Sequence, residues 1–378
     1  MNRRTFLLYS AAAAATLRLS PPILAQGAPA QGGSPGAWDM ASRRLLVIDG
    51  CGGINSVDIP LPPEILRQCL DSGTTAVNWT VSDSTLVGTM EKIHFVRELA
   101  ESDPLHFRIV RSHADISRAA QEHGIGFILG FQDPASIEPD LDKLQTFRRL
   151  DVLIMQLTYN KRGLYGDGCL EPGNAGLTKL GQAAVRRMNE LGIAVDLSHC
   201  GQRTTAEGIA ASSKPVLITH TGCAALHAHP RNKEDRELKA LADRGGVVGI
   251  YFMPYLVASP ISPSREHVLA HLDHALKVAG TDHVGIGSDN GMNPGSDSPA
   301  ENKRMQEEMA RRQKLGIAAP EEDRPPYSPD LNTTNRLEII ANGLEKLGYS
   351  SVVIEKVLGK NFDRALGEIW LPAGAQNF

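Results

Sequence analysis

The chain has 378 residues, 42% of them hydrophobic and 22% charged, with a formal net charge of -4. That balance describes a soluble globular protein with one large core or two smaller ones, and it offers no basic tail or patch for nucleic acid. Five cysteines (Cys51, Cys69, Cys169, Cys200, Cys223) form no C-x-x-C pair, and their odd number excludes a complete disulfide framework.

Residues 1–25 combine a basic start, an apolar stretch and small residues near Ala25, the layout of a secretory signal. Arg3-Arg4 followed by Thr5, Phe6 and Leu7 resembles the twin-arginine signal, which implies export of a folded protein to the bacterial periplasm. A general secretory signal that happens to carry two arginines, or an uncleaved anchor, are the alternatives. Residues 26–41, rich in Gly, Pro, Ala and Gln, read as a flexible linker, so the expected folded domain covers 42–370.

Apolar runs of strand length follow: 45–49, 75–80, 126–133, 152–159, 194–199, 216–221, 247–253 and 283–289. Amphipathic segments alternate with them, each ending near a glycine or polar break. Eight such alternations in about 250 residues predict an α/β fold, a (β/α)8 TIM barrel. A doubly wound open sheet is the alternative, but no G-x-G-x-x-G follows the first strand. The polar stretch after residue 290 predicts a charged helix and a Pro-rich loop forming a surface excursion or lid. Residues 331–369 regain helical periodicity and are expected to close the outer layer of the barrel.

In such a barrel, polar residues at the carboxyl ends of strands build the active site. Those ends carry Asp49 and Cys51, Asn78, Gln132 and Asp133, Tyr159 and Asn160, Asp196 and His199, His220, and Asp289. His199 and His220 follow neighbouring strands, so their imidazoles can converge on one metal ion. His227 and His229 lie in a loop at i, i+2 and are equally compatible with a solvated surface. Asp289 can ligate metal or move a proton, or it can cap the following turn.

The blocks MQLTYNKRGLYGDGCLEPGNAGLTKLG (155–181), DLSHCGQRTT (196–205), PVLITHT (215–221), HPRNKED (229–235), VGIGSDNG (284–291) and GKNFDRAL (359–366) resemble the membrane (renal) dipeptidase family of zinc peptidases, in order and over roughly residues 43–368. The resemblance implies a metal-dependent hydrolase barrel in which two zinc ions bridged by a glutamate activate water against a dipeptide amide. By the same resemblance His199 and His220 match the histidines of one metal site, Asp289 the acid that handles the proton, and Arg231 the receiver of the substrate carboxylate. Tyr159 stands where some relatives have a substrate-contacting histidine, with Asn160 beside it. Dimers are common among relatives, so a homodimer is the implied assembly.

The family's first strand ends D-G-H-N-D; here the stretch is D-G-C-G-G, with Cys51 for the histidine and Gly53 for the second aspartate. Its third strand carries the bridging glutamate in L-G-x-E; here Gln132 occupies that place. Removing those charges disfavours two dications side by side. One zinc is expected, held by His199 and His220 with Asp289, water and Cys51 or Gln132. The expected substrate is a dipeptide or similar small amide with a free carboxylate. Two alternatives remain: a binding or maturation protein that keeps the barrel without the chemistry, and Cys51 as a nucleophilic or redox thiol.

Overall fold

A computed structural model of the chain describes Trp38, Met40, residues 45–296 and residues 298–370. The expected signal lies outside these residues, as does most of the expected linker. Trp38 and Met40 fall within that linker but are buried in the main core, so packed structure begins at least four residues before position 42.

Among the described residues ten strands run in chain order: β1 (Ile48–Gly53), β2 (Ala76–Thr80), β3 (Phe107–Ile109), β4 (Ile125–Phe131), β5 (Val152–Gln156), β6 (Ala194–Asp196), β7 (Leu217–Thr221), β8 (Val247–Ile250), β9 (Val284–Ile286) and β10 (Asn290–Gly291). The order β1-β2-β4-β5-β6-β7-β8-β9 is parallel throughout, and β1 pairs with β9 through Asp49 and Ile286. The sheet therefore closes into the eight-stranded barrel that the alternation predicts, and the open-sheet alternative is excluded. The short β3 has no apolar run of its own and pairs with the first half of β4, on the edge that β5 takes over from Leu129.

Helices between the strands start and stop where the local chemistry dictates. Thr178 caps the Lys179–Leu191 helix by accepting from the Gly181 amide, and Gly192 ends it at φ 65°, a left-handed conformation that glycine adopts without penalty. Among the described residues no helix is long and apolar enough to cross a membrane.

The Arg336–Lys346 helix packs against Leu269 of the Arg265–Ala279 helix, as an outer layer requires, but the end of the C-terminal segment departs from that expectation. The Asn361–Ile369 helix covers the amino end of the barrel instead, and Asn361 Nδ2 donates to the carbonyls of Thr281 and Val284 at 2.9 and 2.8 Å. Phe362 enters the barrel and clusters with Ile48, Ala76, Ile128, Ile154, Ala194, Leu217 and Val247, one side chain from each of β1, β2 and β4–β8. Its ring needs Gly50 and Gly285: a Cβ on either would meet it at 2.8 and 2.5 Å. This apolar plug closes one end and leaves the carboxyl end for polar side chains.

Candidate functional site

The two strand-end carboxylates nearest the sheet are structural. Asp49 is buried and accepts from the Ser288 amide and hydroxyl at 2.8 and 2.5 Å and from the Cys51 amide at 3.2 Å, tying β1 to the end of β9. Burial pushes its pKa up, and Arg336, 3.8 Å away, pulls it back down. Asp196 accepts from Ser198 and Thr219, each through amide and hydroxyl. Asn78 donates to the Gly50 carbonyl at 2.8 Å, and Asp133 accepts from the Ala135 amide at 2.9 Å in a local turn.

Above them the two histidines meet, with His199 Nε2 and His220 Nε2 3.0 Å apart. His199 Nδ1 lies 2.6 Å from Asn160 Oδ1, and Asn160 spends its amide donor on the Ile317 carbonyl, so Nδ1 must donate. His220 Nδ1 lies 2.8 Å from Thr219 Oγ1, whose own proton goes to Asp196 at 2.6 Å, so this Nδ1 also donates. Both Nε2 lone pairs therefore face the same point. Burial holds each imidazole neutral, with Arg231 acting in the same direction.

Cys51 and Asp289 complete the cluster. Asp289 sits at φ 57°, a conformation Asp tolerates better than most residues, and its amide donates to the Cys51 carbonyl at 2.8 Å. The Cys51 thiol donates to Asp289 Oδ1 at 3.4 Å and accepts from Gln132 Nε2 at 2.9 Å. Ligand atoms of Cys51, His220 and Asp289 lie within 4.8 Å of one another. Burial raises the Asp289 pKa to about 6, against Arg231 and Cys51. Burial and the Asp289 charge push the Cys51 thiol well above its usual range, the opposite of what an activated nucleophile needs.

Two opposed lone pairs at 3.0 Å repel unless a cation lies between them, and burial disfavours a proton there. Two imidazoles on a tetrahedral zinc stand about 3.3 Å apart, so the pair fits a metal ion closely. The other half of a two-metal centre does not fit. Gly53 carries no ligand, and a Cβ there would meet the Trp79 ring at 3.1 Å. Gln132 is neutral and already engaged.

Arg231 is 1% exposed; it donates to the Ser198 carbonyl, and its second terminal nitrogen has no partner among the described residues. Tyr159 stacks on His199 with ring centres 4.3 Å apart, and its hydroxyl accepts from Arg312 at 3.0 Å. Asn160 is less a substrate contact than the acceptor that orients His199, since its amide is consumed by His199 and Ile317. His227 faces Glu321 at 3.1 Å, and His229 lies between the Arg231 amide and the Pro320 carbonyl. These two fasten a loop and stand outside the imidazole pair.

Residues that sequence reasoning missed belong mostly to the excursion after β10. The Pro299–Leu315 helix and its return loop roof a cavity of about 110 Å³, whose lining includes Gln132, Tyr159, His199, Arg231 and Asp289. Arg312 binds Glu322 at 2.6 and 2.8 Å, and Glu322 also accepts from the Tyr255 hydroxyl at 2.8 Å.

The model of the membrane dipeptidase family, peptidase family M19, matches residues 74–319. The chain belongs to this family. Over 210 residues it is 31% identical to Dipeptidase verJ of Clonostachys rogersoniana, covering 54% of this chain and 53% of that one. Against Dipeptidase tcpJ of Claviceps purpurea the identity is 25% over 300 residues, 78% of this chain and 63% of that one. The match thus spans about half to two thirds of these relatives. An amidohydrolase from Pseudomonas aeruginosa superposes with a TM-score of 0.77 at 30% identity, covering 88% of this chain and 98% of that structure. The membrane dipeptidase barrel accounts for the strand order, and the imidazole pair suits the metal dependence of the family.

Proposed function

We propose that the protein is a metal-dependent hydrolase that cleaves a dipeptide or similar small amide bearing a free carboxylate. The observation that carries this reading is the convergence of two Nε2 atoms 3.0 Å apart with an Arg231 nitrogen that has no partner among the described residues, in one roofed site. His199 and His220 would hold one zinc ion, with Cys51 as a further donor and Gln132 beside it. When bound, the ion supplies Lewis acidity toward the scissile carbonyl and toward water.

The chain's own residues do the rest. Arg231 is buried and presents a free N–H to the substrate carboxylate, a charge-assisted contact in a dry setting. Asp289, at about 6, can hold or release a proton near neutral pH and so carry one from the attacking side to the leaving amine. Tyr159, braced by Arg312, covers one face of His199 and keeps solvent from it. The residues at 1–25 support export by the twin-arginine route to a bacterial periplasm, where small peptides are available.

Metal analysis joined to an assay on a dipeptide panel tests the reading. About one zinc per chain and chelator-sensitive cleavage are expected. Metal well below one equivalent and no cleavage would favour a binding protein that keeps the Arg231 pocket without the chemistry.

A further inference from the structure

The substrate's side chain is the part of the molecule that the histidines, Asp289 and Arg231 leave unrecognised, and the roof of the cavity bears on it. The Pro299–Leu315 helix is charged along most of its length and has no fully buried residue. Yet Met305 and Met309, one turn apart, are half-buried and line the cavity, as does Met253. Thioether side chains on a helix this polar have no core to fill.

The charges around them are cancelled in place. Glu301 pairs with Arg304, and Glu308 with Arg311 at 2.7 Å. Arg312 pairs with Glu322 at 2.6 Å, and Arg324 with Glu321 at 3.0 Å. What remains for a substrate is one cationic end at Arg231, one acid at Asp289, and a roof whose charged side chains are paired with one another and whose apolar lining on the helix is Met305 and Met309. A charged side chain entering there would lose water without gaining a counter-ion, whereas an apolar one would displace water from flexible, polarizable groups that adapt to its shape.

We propose that Met305 and Met309 form an apolar subsite, and that the enzyme selects dipeptides carrying a bulky apolar side chain over those carrying a charged one. The inference rests on the dipeptidase reading and names its substrate class. Flexible thioethers predict breadth within the class, with leucine, methionine and phenylalanine side chains accepted alike.

The test uses the zinc-loaded full chain with two readouts: kcat/KM on dipeptides differing only in one side chain, leucine against glutamate or lysine, and calorimetric binding of non-hydrolysable phosphinate analogues of the same pairs. The leucine forms should be preferred at least about tenfold. That ratio should fall toward one in Met305→Ala/Met309→Ala and return in Met305→Leu/Met309→Leu, which also shows that the roof helix still folds. Equal treatment of leucine and charged forms by the native enzyme, or an unchanged ratio in the alanine variant, overturns the inference while leaving the hydrolase reading intact. If zinc-loaded protein neither cleaves nor binds any dipeptide, the hydrolase reading falls and this inference falls with it.

Discussion

Thr219 shows how much of the site hangs on residues that touch nothing reactive. Its hydroxyl gives its proton to Asp196 and takes the one on His220 Nδ1, which leaves His220 Nε2 free to face His199. Thr219→Val keeps the shape and removes both bonds, so zinc affinity should drop about 10–100-fold in a competition titration against a chromophoric chelator, with Thr219→Ser close to native. Cys51→Ser is expected to bind metal more weakly without abolishing it. Cobalt-substituted native protein should show a thiolate charge-transfer band that the serine variant lacks. His271 carries a prediction about stability. Burial lowers its pKa to about 4, and its nitrogens serve the Cys223 amide and the Leu256 carbonyl. The folded state thus favours the neutral ring, a contribution fully present above the unfolded pKa of about 6.5 and lost as pH falls from there toward 4. Urea unfolding should show up to about 3 kcal/mol of loss across that window, and His271→Gln should flatten it. The placement of His199, His220 and Asp289 on one rim was legible in the sequence because each follows an apolar strand, whereas Arg231 was marked only by the resemblance of its HPRNKED block. Thr219 was not, since a threonine in an apolar strand is ordinary until Asp196 is brought beside it.

At the scale of elements, the excursion after β10 was legible as a charged helix and a Pro-rich loop, but what it covers was not. Its contacts reach far back along the chain, across 94 to 157 residues: Arg312 to Tyr159, Ile317 to Asn160, Glu321 to His227. Sequence periodicity carries no information about such partners. Arg312 is the centre of this fastening, since its guanidinium spans Glu322 and Tyr159 and both ends of the Arg312–Glu322 pair are largely buried. Arg312→Ala leaves Glu322 with less compensation in a partly buried place. Hydrogen exchange over residues 299–324 should then rise by the equivalent of roughly 1–3 kcal/mol, and KM should rise more than kcat falls. Unchanged exchange in this segment would show that the roof is held by other contacts.

For the whole molecule, eight apolar runs alternating with amphipathic segments were enough to fix the barrel, because strand length and alternation allow few other closed parallel arrangements. The role of the C-terminal helix was not legible: Phe362 looks like any core residue until Gly50 and Gly285 are seen to leave it room. The plug shares one apolar cluster with side chains from seven strands, so Phe362→Ala should cost about 3–5 kcal/mol in denaturant unfolding, a loss shared by the whole barrel in one cooperative transition. The barrel in turn sets the chemistry by bringing β1, β4, β6, β7 and β9 to one rim. There Cys51, Gly53 and Gln132 stand on one side and the His199–His220 pair on the other, which is why we propose a site for one ion. The central claim, that one ion at this pair supports hydrolysis, is tested most directly by following dipeptide cleavage while chelator-stripped protein is titrated with zinc. The account predicts activity that rises linearly and levels at one equivalent; a requirement for two equivalents, or no cleavage at any ratio, would contradict it.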